Sequence, residues 1–226
     1  PRRPLSAPKN IQISEKSKYS LTLKDLYLKP IINWDEKITN RWTVSEKAAQ
    51  QRLDEFVHDE LQDYRDGRNF PDKDNVSRLS PYLHFGQISP NTAWYRALDA
   101  SALIANEKSL DTFLSELGWR EFSYYLLYHF PHLPHKNLQS KFDAFPWPKT
   151  QASILRLWKS GKTGYPLVDA GMKELNNTGF MHNRVRMITA SFLCKHLLVD
   201  WRLGEKYFAL KLNDYEMASN IGNWQW

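Results

Sequence analysis

Residues 181–187, MHNRVRM, put a histidine, an amide and two arginines at the head of the apolar run ITASFLCKHLLV. A charge inside an apolar helix is costly unless something pairs with it, so Arg184 and Arg186 each need a partner. Two positions apart on a helix, they differ by about 200° in direction. One can therefore reach solvent while the other pairs with a core acid such as Asp214. A second cluster, SRLSPYLHFGQISP, sets Ser77 and Ser80 on either side of Arg78 just before a helix start. Hydroxyls, backbone N–H groups and a positive helix end would converge there on an anion, although two ordinary helix caps would use the same residues. In ELGWREF, Glu116 and Arg120 stand four apart in the orientation of a helical ion pair worth about 0.2–0.5 kcal/mol, with Trp119 on the same side as Glu116. A carboxylate beside an aromatic face suits a nucleobase, the one accepting imide or amine protons and the other stacking.

Other chemistries lack their residues. His129, His132 and His135 in HFPHLPH are three apart, but the intervening prolines keep a helix from presenting them on one face and no Cys or paired carboxylate joins them; no metal site is expected. There is no GxSxG, P-loop or GxGxxG, which removes the starting points of hydrolase, P-loop NTPase and Rossmann mechanisms. The single Cys194 excludes an intramolecular disulfide and fits an intracellular, cytoplasmic protein. PRRPLSAPKN has no apolar h-region, and charge breaks every apolar run well before about 18 residues, so a soluble protein without secretion or membrane spanning is expected.

Net charge over the 226 residues is +6, but residues 136–211 carry 13 basic and 5 acidic side chains. That local positive field suits phosphate-bearing partners as well as a solvated surface. Nine Trp exceed what a core of this size needs for filling, and Trp is favoured where one edge must meet something.

The elements that would position these residues read as helices. Residues 1–40, rich in Lys, Pro and Ser, resemble a linker laid over a domain surface, anchored by Leu21, Leu23, Leu26, Leu28, Ile31 and Trp34. From Ser45, Ala49, Leu53, Phe56, Val57, Leu61 and Tyr64 recur at helical steps until RNFPDKDN breaks them. Ser-Pro pairs predict helix starts at Pro81 and Pro90. The next helix is capped by Asp111 and halted by Pro131, with Phe113, Leu117, Tyr124 and Leu127 on its apolar side. Another opens at Pro166 and closes at Gly179, and a long one follows over about 182–200. Strand signals, internal repeats and low-complexity segments are nearly absent, so the expected class is all-α.

Taken as a set, SRLSPYLHFGQISP, ELGWREF, the run from WKSGKTGYPLVDAG through MHNRVRM to DWRLGEKYF, and NDYEMASNIGNWQW resemble the flavin-binding helical domain of the photolyase and cryptochrome family, closest to class I cyclobutane pyrimidine dimer photolyases. The likeness runs from about residue 20 to the end. It implies a helical catalytic domain over 41–226 and a noncovalent FAD, with the reduced anionic flavin giving an electron under blue light to a flipped-out dimer in UV-damaged DNA. It also implies a monomeric protein, and an antenna pigment only with an α/β domain that precedes this region in the family. That domain, and tens of residues after WQW, are absent, so the chain reads as a partial catalytic domain.

By the same resemblance, Tyr64, Val76, Ser77, Arg78, Leu79, Ser80, Arg120, Asn183, Arg186, Asp214, Tyr215, Glu216 and Asn220 bind FAD, Asn220 near its N5 and Arg186 paired with Asp214. Arg68, Glu116, Leu117, Gly118, Trp119, Arg120, Glu121, Phe122, Ser123, Asn183, Arg184, Met187 and Trp226 fall at positions that touch DNA or the dimer, where Glu116 bonds the thymine edge and Trp119 and Trp226 wall the pocket. Trp224, Trp201 and Trp147 match a chain of electron-carrying tryptophans; Trp147 stands eleven residues before Trp158, one more than the family spacing, and core packing accounts for Trp158, Trp34 and Trp42. Val76, Glu216 and Asn69 depart from the family's usual Thr, Asp and Asp. The resemblance leaves two readings, a repair photolyase and a cryptochrome-type light receptor; Asn183, where a second His would be expected, disfavours the (6-4) branch. A cofactor-free nucleic-acid module would use the basic segment and aromatics alone.

Overall fold

The structure is a computed structural model that describes residues 1–12, 19–101, 106–149 and 151–225. Among these residues all regular structure is helical. The helices are α1 (Glu36–Thr39), α2 (Glu46–Glu55), α3 (Tyr64–Gly67), α4 (Ser80–His84), α5 (Pro90–Asp99), α6 (Glu107–His129), α7 (Ala152–Lys159), α8 (Pro166–Thr178), α9 (Asn183–Ser191), α10 (Trp201–Lys211) and α11 (Met217–Trp224). No helix among them is long and apolar enough to cross a membrane.

Local chemistry sets most boundaries. The Ser45 hydroxyl accepts from the Ala48 N–H to open α2, and Ser89 does the same for Thr92 with Pro90 in the first turn of α5. Gly179 stops α8 at φ 69°, a left-handed conformation costly to any residue with a Cβ. Three expected boundaries move. Helix α6 starts at Glu107 after Asn106, so Asp111 lies inside it and caps nothing. Ser80 is the first residue of α4 rather than its cap, which is Leu79. The helix expected over about 182–200 ends as α-helix at Ser191 and passes into a π turn over Phe192–His196; Leu198 then takes φ 51° before Asp200 caps α10.

Two apolar cores result. The first packs Leu53, Phe56, Leu61 and Phe113 between α2 and α6, with the Phe56 and Phe113 rings 4.8 Å apart. The second gathers Trp158, Met172, Leu193 and Phe208 from α7, α8, the π turn and α10. Trp158 is fully buried and its indole N–H donates to the Thr189 carbonyl at 3.1 Å, which confirms a packing role. Helix α11 joins the two halves by lying along both α6 and α10. Gly204 on α10 makes room for it: a Cβ there would stand 2.3 Å from Trp224 Cη2.

The N-terminal apolar residues behave otherwise than expected. Leu21, Leu26, Leu28, Ile31 and Trp34 are exposed, so they anchor nothing among the described residues, and packing does not account for Trp34. Docking falls instead to Trp42, whose N–H donates to the Thr178 carbonyl at 3.4 Å with its ring 6.1 Å from that of Tyr82, and to the first residues, where the Pro1 carbonyl accepts from the Tyr95 hydroxyl at 2.6 Å.

Candidate functional site

Between the two cores lies a cleft of about 1080 Å³, at the upper end of the roughly 300–1,000 Å³ of small-molecule sites. One wall is residues 76–80 with α6. The other is residues 180–183 with α9, and residues 214–224 close the end.

Arg186 turns inward and donates to Asp214 Oδ2 at 2.8 Å, while its Nε reaches the Met181 carbonyl at 2.7 Å and its guanidinium lies over the Phe180 ring. Arg184 turns the other way, holding Asn69 Oδ1 at 2.6 and 2.9 Å. The Asp214 side chain is 1% exposed and takes a second hydrogen bond from the Ser80 hydroxyl at 2.6 Å. Ser80 therefore ties one wall to the other instead of standing free for an anion, as its cap position had suggested. Two buried polar atoms at the cleft have no partner among the described residues: Asp214 Oδ1 and His182 Nε2. His182 Nδ1 accepts the Arg184 N–H at 3.2 Å, so in the neutral ring Nε2 carries the proton. Burial, with Arg184, Arg186, Arg78 and Arg68 around it, lowers the pKa and keeps it neutral. The site thus offers one orphan acceptor and one orphan donor, which a buried polar ligand would satisfy.

On the opposite wall the expected Glu116–Arg120 pair does not form. Glu116 Oε1 is bonded by Arg68 from α3's end, while Arg120 approaches Glu121 at 3.5 Å and lies over the Tyr124 ring. A surface i, i+4 pair is weak, and Arg68, with a side chain mostly out of solvent, gains more from the carboxylate than Arg120 would. Arg68 takes only one oxygen; Glu116 Oε2 has no hydrogen-bond partner among the described residues, and Glu116 lines the cleft. Tyr64 lines the cleft beside this pair, its hydroxyl pushed up to about 12 by burial and by Glu116. Trp119 is 51% exposed at the mouth, as is Met187 across from it. Tyr124, expected on the apolar side of α6, is exposed.

Of the other expected residues, Val76, Ser77, Arg78 and Leu79 line the cleft, as do Leu117, Ser123 and Asn183. Gly118, Glu121 and Phe122 sit on the exposed face of α6 outside it, and Trp226 lies outside the described residues. At the closed end, Glu216 caps α11 by accepting from the Ala218 and Ser219 N–H groups at 2.9 and 2.8 Å. The Asp-to-Glu departure thus keeps a capping carboxylate. Tyr215 and Asn220 share one partner that sequence reasoning missed: Glu205 Oε1 accepts from the Tyr215 hydroxyl at 2.9 Å and from Asn220 Nδ2 at 3.2 Å. Burial and Glu205 together raise the Tyr215 pKa, so the tyrosine stays a donor. With its amide nitrogen held, the Asn220 carbonyl oxygen accepts no hydrogen bond among the described residues, and Asn220 lines the cleft.

Trp224, Trp201 and Trp147 fall in one apolar cluster with Leu133 and Ile221. Trp224 lines the cleft, Trp201 is buried behind it with its N–H on Asn137 Oδ1 at 3.0 Å, and Trp147 is half-buried against Phe145.

Comparison with known proteins bears on the family and the fold. Over its whole length the chain is 46% identical to a deoxyribodipyrimidine photo-lyase of Agrobacterium fabrum, of which it covers 46%. Over 83% of its length it is 43% identical to one from Escherichia coli K12, of which it covers 40%. The chain therefore spans about half the length, or less, of these curated relatives. The crystal structure of a bacterial class III photolyase from Agrobacterium tumefaciens superposes with a TM-score of 0.85 at 47% identity, covering 98% of this chain and 45% of that one. A Synechocystis cryptochrome superposes with a TM-score of 0.77 at 38% identity, covering 86% and 41%. Residues 113–226, half of the chain, match the family described as the FAD binding domain of DNA photolyase, and the chain belongs to that family.

Proposed function

We propose that this chain is the flavin-binding catalytic part of a light-driven DNA repair enzyme that splits cyclobutane pyrimidine dimers. The observation that carries the reading is the cleft with two unlike ends. A buried set of orphan polar atoms and the Arg186–Asp214 pair lie inside, and Glu116 with Trp119 stands at the mouth. The interior suits a dinucleotide cofactor. The mouth suits an extruded pair of bases, since a carboxylate can take the imide protons and an indole can stack.

FAD fits the residues present. Residues 76–79 would face its diphosphate, and Arg186, Asp214, Tyr215 and Asn220 would surround its ring system, with Tyr64 and Asn183 alongside. Bound and reduced, it would supply an electron on excitation by blue light. The chain's own residues do the rest. Glu116, aligned by Arg68, would hold the thymine edge through Oε2, and Trp119 and Met187 would wall the dimer. Arg184, already turned outward, would meet backbone phosphate, with the exposed face of α6 from Gly118 to Phe122. Trp224, Trp201 and Trp147 would conduct an electron inward to an oxidised cofactor. DNA carrying a pyrimidine dimer is the substrate, the site lies within one chain, and the protein acts inside the cell. An antenna pigment, if used, would belong to a domain beyond this region.

The test is repair itself. Chain reconstituted with FAD and reduced, incubated with dimer-containing oligonucleotide under blue light, is expected to restore thymines; a preparation that binds both partners yet restores none would defeat the reading. The likeness to a cryptochrome gives the second reading, a light receptor, which predicts photoreduction without repair. Trp119→Ala tests the mouth: loss of the stacking face is expected to weaken dimer binding by about 1–3 kcal/mol, measured by titration of labelled lesion DNA, with flavin affinity unchanged.

A further inference from the structure

Arg52 stands in the last turn of α2 and Glu60 eight residues on. On an unbroken α-helix, eight residues place two side chains about 80° apart. Here a π turn over Phe56–Glu60 inserts one residue, so Glu60 falls where a residue seven on would, about 20° from Arg52. Arg52 Nη2 meets the two Glu60 oxygens at 2.7 and 2.5 Å. The same guanidinium reaches residues 76–77: Nε donates to the Ser77 carbonyl at 2.9 Å and Nη2 also to the Val76 carbonyl at 3.2 Å, while Nη1 approaches Glu55 Oε2 at 3.4 Å.

In a trans peptide the carbonyl and the following N–H point in opposite directions. With the Val76 and Ser77 carbonyls drawn to Arg52, the N–H groups of Ser77 and Arg78 are turned away from it. Val76, Ser77 and Arg78 line the cleft and Arg52 does not. Neither N–H donates a hydrogen bond within the described residues. Arg78 holds φ 51°, which lets successive N–H groups converge into an anion-binding concavity.

We infer that Arg52 and Glu60 are a positioning pair, outside the cleft, that aims these two amides at the diphosphate of the bound dinucleotide. The inference rests on the cofactor reading above. The pair touches no ligand; it acts through the 76–78 backbone. It also gives the π turn a purpose, because only that inserted residue brings Glu60 under Arg52. Lysine cannot replace the arginine, having no planar fork to serve two carbonyls and a carboxylate together.

The experiment measures FAD and riboflavin affinity on wild type, Arg52→Met and Arg52→Lys by flavin fluorescence, alongside thermal unfolding. Riboflavin lacks the diphosphate. The expected result is FAD Kd raised about tenfold or more in both variants, with riboflavin Kd changed less than about twofold. Equal weakening of both flavins, or unchanged FAD affinity in a folded variant, would overturn the inference. Should the Arg52 variants fail to fold, Glu60→Gln keeps the shape, loosens the same guanidinium and must show the same selective loss. If wild type takes neither flavin, the cofactor reading falls, and inorganic pyrophosphate tests the amides directly. Wild type is expected to bind it more tightly than Glu60→Gln, and equal affinities would sink the pair's role.

Discussion

Asp214→Ala is expected to destabilise the fold by about 3–5 kcal/mol, the cost of removing one partner of a buried ion pair. The mechanism is specific. Asp214 is the acceptor for both Arg186 and the Ser80 hydroxyl, and its side chain is almost wholly out of water. Its loss leaves a partly buried cation without its counter-charge and severs a link between the two walls. Two features set the figure at the lower end of the range. Arg186 keeps its bond to the Met181 carbonyl and its place over Phe180, and its side chain is 24% exposed. Urea unfolding monitored by tryptophan fluorescence gives the number. Asp214→Asn should fall between wild type and the alanine variant, since an amide oxygen can still accept from Ser80 while the charge is gone. A loss below about 1 kcal/mol for the alanine variant would mean that water reaches the pair.

The second large effect is expected at Glu116. Replacement by Gln keeps the shape and removes the charge, and hydrogen bonds to charged groups contribute about 1.5–3 kcal/mol. Discrimination between dimer-containing and undamaged DNA should therefore fall by about 10- to 150-fold. The readout is the ratio of the two dissociation constants at fixed salt. Arg68 makes the result interpretable, because it binds Oε1 alone, and Oε2, the oxygen proposed for the base edge, has no partner among the described residues. Arg68→Met should show a weaker loss in the same direction, as Glu116 would still be present but no longer aligned. An unchanged ratio in Glu116→Gln would mean that the carboxylate serves Arg68 alone.

How far the sequence disclosed this arrangement depends on the range of the forces involved. Ser89-Pro90 and Gly179 marked helix ends correctly because a cap or a positive φ is decided within a few residues. Helix geometry showed only that Arg184 and Arg186 diverge; that Arg186 is the one paired with Asp214 came with the family resemblance, and their partners Asn69 and Asp214 lie 115 and 28 residues away. The π turns at Phe56–Glu60 and Phe192–His196 left no trace in apolar spacing, since Phe56, Val57 and Leu61 still point inward through the first. Glu116 was matched to the wrong arginine because i, i+4 spacing says nothing of a cation arriving from another helix. Leu28 and Ile31 were read as anchors on hydrophobicity, which cannot say what surface is within reach. Glu205 gave no signal at all: its role appears only when Tyr215 and Asn220 converge on one oxygen.

The two apolar cores face each other across the cleft, joined at one end by α11 and elsewhere by individual hydrogen bonds such as Ser80 to Asp214 and Trp42 to Thr178. A molecule lodged there would act as mortar, adding its own cohesion to the seam. By mass action, a cofactor at one hundred times its Kd would add about 2.7 kcal/mol to the folded state. The resistance of this protein to heat and proteases should then track the flavin supply around it, so that scarcity of the vitamin would show first as faster turnover of the polypeptide.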